Sequence, residues 1–151
     1  MKKVIISLFM LASLSLAMDA GTKSFGGGGM ITQSLAEDVD MTVDLNVNGG
    51  YFAVDNVEVL AGLGLAGTTD TMFDNMTYMV GGNYYMGNMY GGATYSGGDS
   101  NEDGALDFRA GYLKGCGEGT TFLNLYGNYK MSMTDGVDGV LSIGFGIVTF
   151  F

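Results

Sequence analysis

The feature that most restricts the fold of this 151-residue chain is a two-residue alternation that recurs from end to end. In "VDMTVDLNVN", Val39, Met41, Val43, Leu45 and Val47 share one side, and Asp40, Thr42, Asp44, Asn46 and Asn48 share the other. Side chains alternate this way on a β-strand, and no helical register reproduces the pattern. The same reading applies to Val57–Gly67, Leu106–Lys114, Leu123–Met131 and Val140–Phe151, and more weakly to Lys23–Gln33, Met76–Tyr85 and Met89–Gly97. Eight segments of about ten residues result. No proline interrupts them, so every strand can sit within a hydrogen-bond ladder. The connections alternate between short ones ("FAVDN", "MGN", "GCGEGT") and more acidic ones at Ser34–Asp38, Thr68–Asn75, Gly98–Gly104 and Thr134–Asp138. The expectation is an all-β, eight-stranded antiparallel up-and-down barrel with both termini on one side.

The amino-terminal end indicates the compartment. Two lysines precede an apolar run from Val4 to Ala17, and Ser15-Leu16-Ala17 supplies small residues where a signal peptidase cuts. Fourteen residues fall short of the roughly 20 that a spanning helix needs, so residues 1–17 read as a cleaved secretory signal. Residues 18–151 are then one domain, in which four cations face sixteen acids, a net charge of −12. That balance excludes nucleic acid as a partner. The single Cys116 excludes an intrachain disulfide framework.

Periodicity does not say which face meets the core. A water-soluble barrel turns its large apolar residues inward; a membrane barrel turns them to lipid and fills its interior with polar groups. Three observations favour lipid. The smaller face carries Asn, Tyr and Gly with a few charges, not the many Lys and Glu of a wetted strand. Phe25, Tyr51, Tyr78, Tyr84, Tyr95, Tyr112, Tyr129 and Phe151 lie near strand ends, where interfacial aromatic girdles sit. The last strand, "VLSIGFGIVTFF", finishes on apolar and aromatic side chains with no polar tail. The expected fold is therefore a transmembrane barrel.

"GYFAVDNVEVLAGLGL" (Gly50 to Leu65), "GGNYYM" (Gly81 to Met86) and the terminal aromatic resemble the small outer-membrane β-barrel domain family, the opacity-type and related eight-stranded proteins. The resemblance implies residence in the outer membrane, contact with its lipid and lipopolysaccharide, and delivery by periplasmic chaperones to the barrel-assembly machinery. It also implies an assembly signal in the last strand. Gly146 and Phe151 match that signal, whereas Thr149 stands where an apolar residue is expected. Enzymes built on this architecture rely on histidine, and the chain contains none, which points to a non-enzymatic protein without a cofactor.

Two groups of residues carry the remaining chemistry. Asp40, Asp44, Glu58, Asp107, Arg109 and Lys130 are expected inside the barrel, where charges require partners, as salt bridges that hold it closed. In "DSNEDGALD", Asp99, Asn101, Asp103 and Gly104 match the opening of a calcium loop. The closing glutamate falls on Ala110, so the motif is incomplete and at most a weak divalent-cation site. The sequence supports a monomeric barrel with a structural or surface-interaction role. A narrow channel for small solutes and a soluble periplasmic ligand-binding barrel are the alternatives.

Overall fold

The structure, a computed structural model, describes residues 18–32, 42–67, 75–99, 101–134, 136 and 138–151. Eight strands follow in order: β1 (Lys23–Thr32), β2 (Thr42–Val54), β3 (Val57–Gly67), β4 (Asn75–Met86), β5 (Met89–Gly98), β6 (Asn101–Gly115), β7 (Thr121–Ser132) and β8 (Val140–Phe150). Each pairs antiparallel with the next, and β1 pairs with β8 to close the barrel. The expected all-β, eight-stranded antiparallel architecture is present.

The stagger of this closure follows from the register. Stepping across paired residues from Ser24 leads through Gly50, Leu60, Gly81, Thr94, Asp107 and Lys130 to Val140. Across the seam, however, Ser24 pairs with Phe150, ten residues further along β8. With about 3.3 Å per residue and about 4.8 Å between strands, a stagger of ten over eight strands tilts them by about 40°. A narrow, steeply coiled barrel brings backbones close together, and the glycines face those approaches. At the β1–β8 seam, a Cβ on Gly146 would lie 2.5 Å from the Gly27 carbonyl oxygen and 2.9 Å from the Gly28 Cα. Both obstacles are main chain and cannot turn aside. Gly146→Val is therefore expected to cost about 1–3 kcal/mol, read as a lower urea midpoint of the folded, heat-shiftable band on gels.

The orientation of the two faces is clear in β8. Ser142, Gly144, Gly146, Val148 and Phe150 are buried toward the lumen, while Leu141, Ile143, Phe145 and Ile147 point outward and are 55–73% exposed. The same holds around the barrel, with Leu45, Val47, Val59, Leu63, Val80, Phe108 and Leu125 all exposed. This is the reverse of the arrangement in a water-soluble barrel, whose large apolar side chains fill the interior. Phe25, Tyr51, Tyr84, Tyr112 and Phe151 ring the outside at the end bearing the short turns. Tyr78 and Tyr129 are exposed near the opposite, loop end, and Tyr95 packs 6.4 Å from Tyr78, ring centre to ring centre.

Several boundaries differ from the sequence reading. β2, described from Thr42 onward, runs through Gly49-Gly50 to Val54, so the turn shrinks from "FAVDN" to Asp55-Asn56. The added length is possible because the chain bulges between Phe52 and Val54, and because Asn56 adopts the left-handed backbone (φ 64°) that asparagine tolerates. The acidic connection Gly98–Gly104 is not a loop of that length. Gly98 already pairs with Asn101, where β6 begins, and the register shifts between Ser96 and Gly98 before the regular ladder resumes at Ala105. The connection between β4 and β5 is Gly87-Asn88, without Met86. Residues 1–17 and the connections Ser34–Asp38 and Thr68–Asp74 lie outside the described residues.

Candidate functional site

The lumen is the only part of a closed barrel where side chains from all strands converge. Here it is stratified along the axis. At the turn end it is apolar: Phe52, Tyr85, Tyr90, Leu113, Val148 and Phe150 are buried together, with Phe122 packed against them. Phe52 stands 5.3 Å from Tyr85 and 6.0 Å from Phe150, and Phe122 stands 5.6 Å from Phe150, measured between ring centres. These tilted and edge-on contacts are favourable arrangements for aromatic pairs. Large rings fit because glycine lies opposite: a Cβ on Gly111 would overlap the Tyr90 ring, and one on Gly144 the Tyr126 ring.

The segment before β1 completes this seal. Met18 is 4% exposed and joins the aromatic cluster. Its carbonyl accepts from Asn56 N at 2.8 Å, the Gly21 N–H donates to Phe52 O at 2.9 Å, and the Ala20 N–H donates to the Asp55 carboxylate at 2.9 Å. The Asp-Asn turn thus anchors the chain that covers the turn end.

Above the aromatics sits Glu58, 2% exposed. Its Oε1 accepts from the Ser24 hydroxyl, and its Oε2 accepts from Asn83 Nδ2 and the Tyr85 hydroxyl, each at 2.8 Å. Gly50 makes room, since a Cβ there would lie 2.8 Å from the Glu58 carboxyl carbon. Alongside, Tyr90 donates to Asn124 Oδ1 at 3.0 Å. Arg109 donates through Nη2 to Thr94 Oγ1 at 3.1 Å and contacts the Met79 sulfur at 3.9 Å, with its guanidinium 5.8 Å from the Tyr126 ring centre.

Toward the loop end, Asp107 accepts from Ser96 Oγ at 2.5 Å and from Asn128 Nδ2 at 3.0 Å. Asp44, Asp107, Arg109, Asn128 and Lys130 line a cavity of about 70 Å³, and a second cavity of about 30 Å³ lies between Glu58 and Arg109. Asn128 Oδ1, Arg109 Nε and Asn83 Oδ1 are buried without a protein partner. Cavities of these sizes admit a few water molecules, which would satisfy such groups.

The expected inward charges are therefore in the lumen, Asp44, Glu58, Asp107, Arg109 and Lys130 included, while Asp40 lies outside the described residues. The hydrogen bonds of Glu58, Asp107 and Arg109 run to neutral side chains, mostly hydroxyls and amides. Lys130 acts electrostatically on Asp44, so neutral partners and opposite charges both serve the lumen. Sequence pattern carries no signal for the aromatic seal, because Phe52 falls in a turn-like segment and Val148 and Phe150 fall on the smaller face.

Of the calcium-like residues, Asp99 occupies a tight turn and its carboxylate accepts from Met76 N at 3.4 Å, while Asp103, on β6, accepts from the Thr134 hydroxyl at 2.9 Å. Asn101 opens β6, and its side chain lies outside the described residues. No group of three or more His, Cys, Asp or Glu suited to a metal occurs among the described residues. Gly146 is at the barrel seam, and Phe151 faces outward and is main-chain bonded to Lys23 in both directions, at 2.8 and 2.9 Å.

No family model and no curated protein matches the chain. Among solved structures, one described as "De novo design of transmembrane beta-barrels" superposes with a TM-score of 0.61, covering 90% of this chain and 100% of its own, at 18% sequence identity. The likeness is one of fold: this chain is a closed eight-stranded antiparallel barrel similar to a designed transmembrane barrel.

Proposed function

We propose that the chain is an integral outer-membrane barrel, sealed and non-enzymatic, that acts as a structural element of the membrane and presents acidic connections at its loop end. The observation that carries this reading is the inverted distribution of apolar residues. Among the described residues, twenty-seven large hydrophobic side chains are exposed and ten hydrophobic residues are buried. At about 1.5–3 kcal/mol for each fully wetted large side chain, keeping that exterior in water would cost on the order of tens of kcal/mol. Lipid removes this cost. The height agrees: from Leu141 to Phe151, at about 3.3 Å per residue and about 40° of tilt, the apolar face of β8 rises about 25 Å, the height of the band on outer-membrane barrels.

A sealed lumen supports the structural role over conduction. The Phe52–Tyr85–Phe150 cluster blocks the turn end, and the lumen cavities of about 70 and 30 Å³ have room for a few waters. Catalysis finds no support in the lumen, where Glu58 is enclosed by three donors and the chain has no histidine to act with a hydroxyl. Two measurements test the proposal. The protein should fractionate with the outer membrane and migrate differently on gels before and after boiling. In planar bilayers it should show no unitary conductance; discrete openings would replace the structural role with that of a narrow channel.

A further inference from the structure

The outer surface is uneven. Two adjacent rows of paired residues cross β1 to β4 near the turn end: Lys23–Tyr51–Val59–Gly82 and Phe25–Gly49–Ala61–Val80. In the second row the two middle positions are small, so Gly49 and Ala61 form the floor of a pit two strands broad, about 10 Å. Phe25, Tyr51, Val59 and Val80 stand around it, with Lys23 at the turn-end corner. A Cβ on Gly49 would meet only the Ser24 carbonyl oxygen, at 3.7 Å, so the floor is open.

The charges around the barrel select the occupant. Arg109 and Lys130 are inside the lumen. Lys23 and Lys114 are the outward, exposed cations among the described strands, both at the turn end. The exposed acids of that end, Asp19, Asp55 and Glu118, are on connecting segments and not on outward strand faces, while Asp99, Asp103 and Asp138 mark the loop end. Of the two lysines, Lys23 adjoins the pit. We propose that this pit binds one acyl chain of an anionic phospholipid in the turn-end leaflet, with the headgroup phosphate on the Lys23 ammonium. The apolar floor and walls take hydrocarbon, Tyr51 marks the depth of the interface, and the lysine stem reaches along the surface to the headgroup.

This inference rests on the membrane reading, and the test separates the two. The full barrel is refolded into vesicles and checked for the boiling-dependent gel shift. Absence of insertion refutes the membrane reading itself. The inserted protein is then extracted into detergent, and its bound lipid is read by native mass spectrometry with phosphatidylglycerol and phosphatidylethanolamine supplied in equal amounts. The expected result is about a fivefold preference for phosphatidylglycerol, the effect of one lysine near a charged headgroup. Lys23→Gln should abolish the preference, and Gly49→Leu, which fills the pit, should remove the adduct of both lipids. Lys114→Gln and Gly127→Leu are matched controls: Gly127 is outward on β7 with nothing within 4 Å of an added Cβ. They should retain the adduct and the preference. Loss of preference in Lys114→Gln, an unchanged adduct in Gly49→Leu, or a second copy of the chain in place of lipid would each overturn the proposal.

Discussion

Replacing Val47 or Leu125 with arginine will destabilise the barrel by about 2–4 kcal/mol in lipid vesicles, measured as a shift of the urea unfolding midpoint. Both residues lie near the middle of their strands, point outward and are 54% and 56% exposed. On a water-soluble barrel those positions would be among the most permissive, and a charge there would be neutral or would improve solubility. In lipid the guanidinium must leave water or thin the bilayer around it, and the cost depends on depth. Val54→Arg supplies the internal standard. It is equally exposed, at 56%, but sits at the turn end of β2, where the penalty falls to about 0–1 kcal/mol. A steep difference between Val47 and Val54 establishes a hydrocarbon surrounding. Equal and small effects at all three positions would refute the membrane placement, whatever the exterior composition.

The fold was legible because the decisive information is local. The faces of Val140–Phe151 are assigned by parity alone, and the structure keeps each assignment: Leu141, Ile143, Phe145 and Ile147 outward, Ser142, Gly144 and Gly146 inward. The scarcity of cations on the smaller face indicated which side was the interior. Boundaries were less legible where composition and pairing disagree. Gly49-Gly50 resembles a strand end, yet β2 continues through it because Leu60 and Ala61 of β3 supply partners. The run Asn101–Gly104 resembles an acidic loop, yet it extends the β5–β6 hairpin.

The interior was legible in content and not in arrangement. Which lumen residues meet depends on the ten-residue stagger, which is a property of all eight pairings together. Ser24, Asn83 and Tyr85 are 34, 25 and 27 positions from Glu58 and converge on it only after closure. The aromatic seal is hidden for the same reason. Phe52, Tyr85, Tyr90 and Phe150 are isolated large residues on otherwise small or polar faces, and only the register stacks them at one level. Pairing Arg109 and Lys130 with nearby acids was the economical reading of a sequence with so few cations. At Glu58 the structure supplies three neutral donors, which stabilise a carboxylate without a counter-charge.

That difference leads to the second large effect. Glu58→Ala removes the common acceptor of Ser24, Asn83 and Tyr85 and leaves their donors facing a small void beside the aromatic seal. Each buried, unsatisfied polar group costs about 1–3 kcal/mol, so a loss of at least about 3 kcal/mol is expected in detergent-micelle unfolding by urea. Glu58→Gln should cost far less, about 1 kcal/mol. The amide keeps one acceptor, and the hydroxyls can reverse. Asn83 can also turn its Oδ1, which lacks a partner, toward the new N–H. Arg109→Gln should likewise cost only about 1 kcal/mol, since its one hydrogen bond to oxygen is to Thr94 and Asp107 keeps Ser96 and Asn128. Glu58 and Arg109 border one small cavity but bond different side chains, so the double variant, Glu58→Gln with Arg109→Gln, tests for coupling across it, and additivity to within about 0.5 kcal/mol is expected. Strong coupling between them, or a glutamine variant as damaged as the alanine one, would mean that the charge itself holds the lumen together. The account in which neutral donors hold it would then fail.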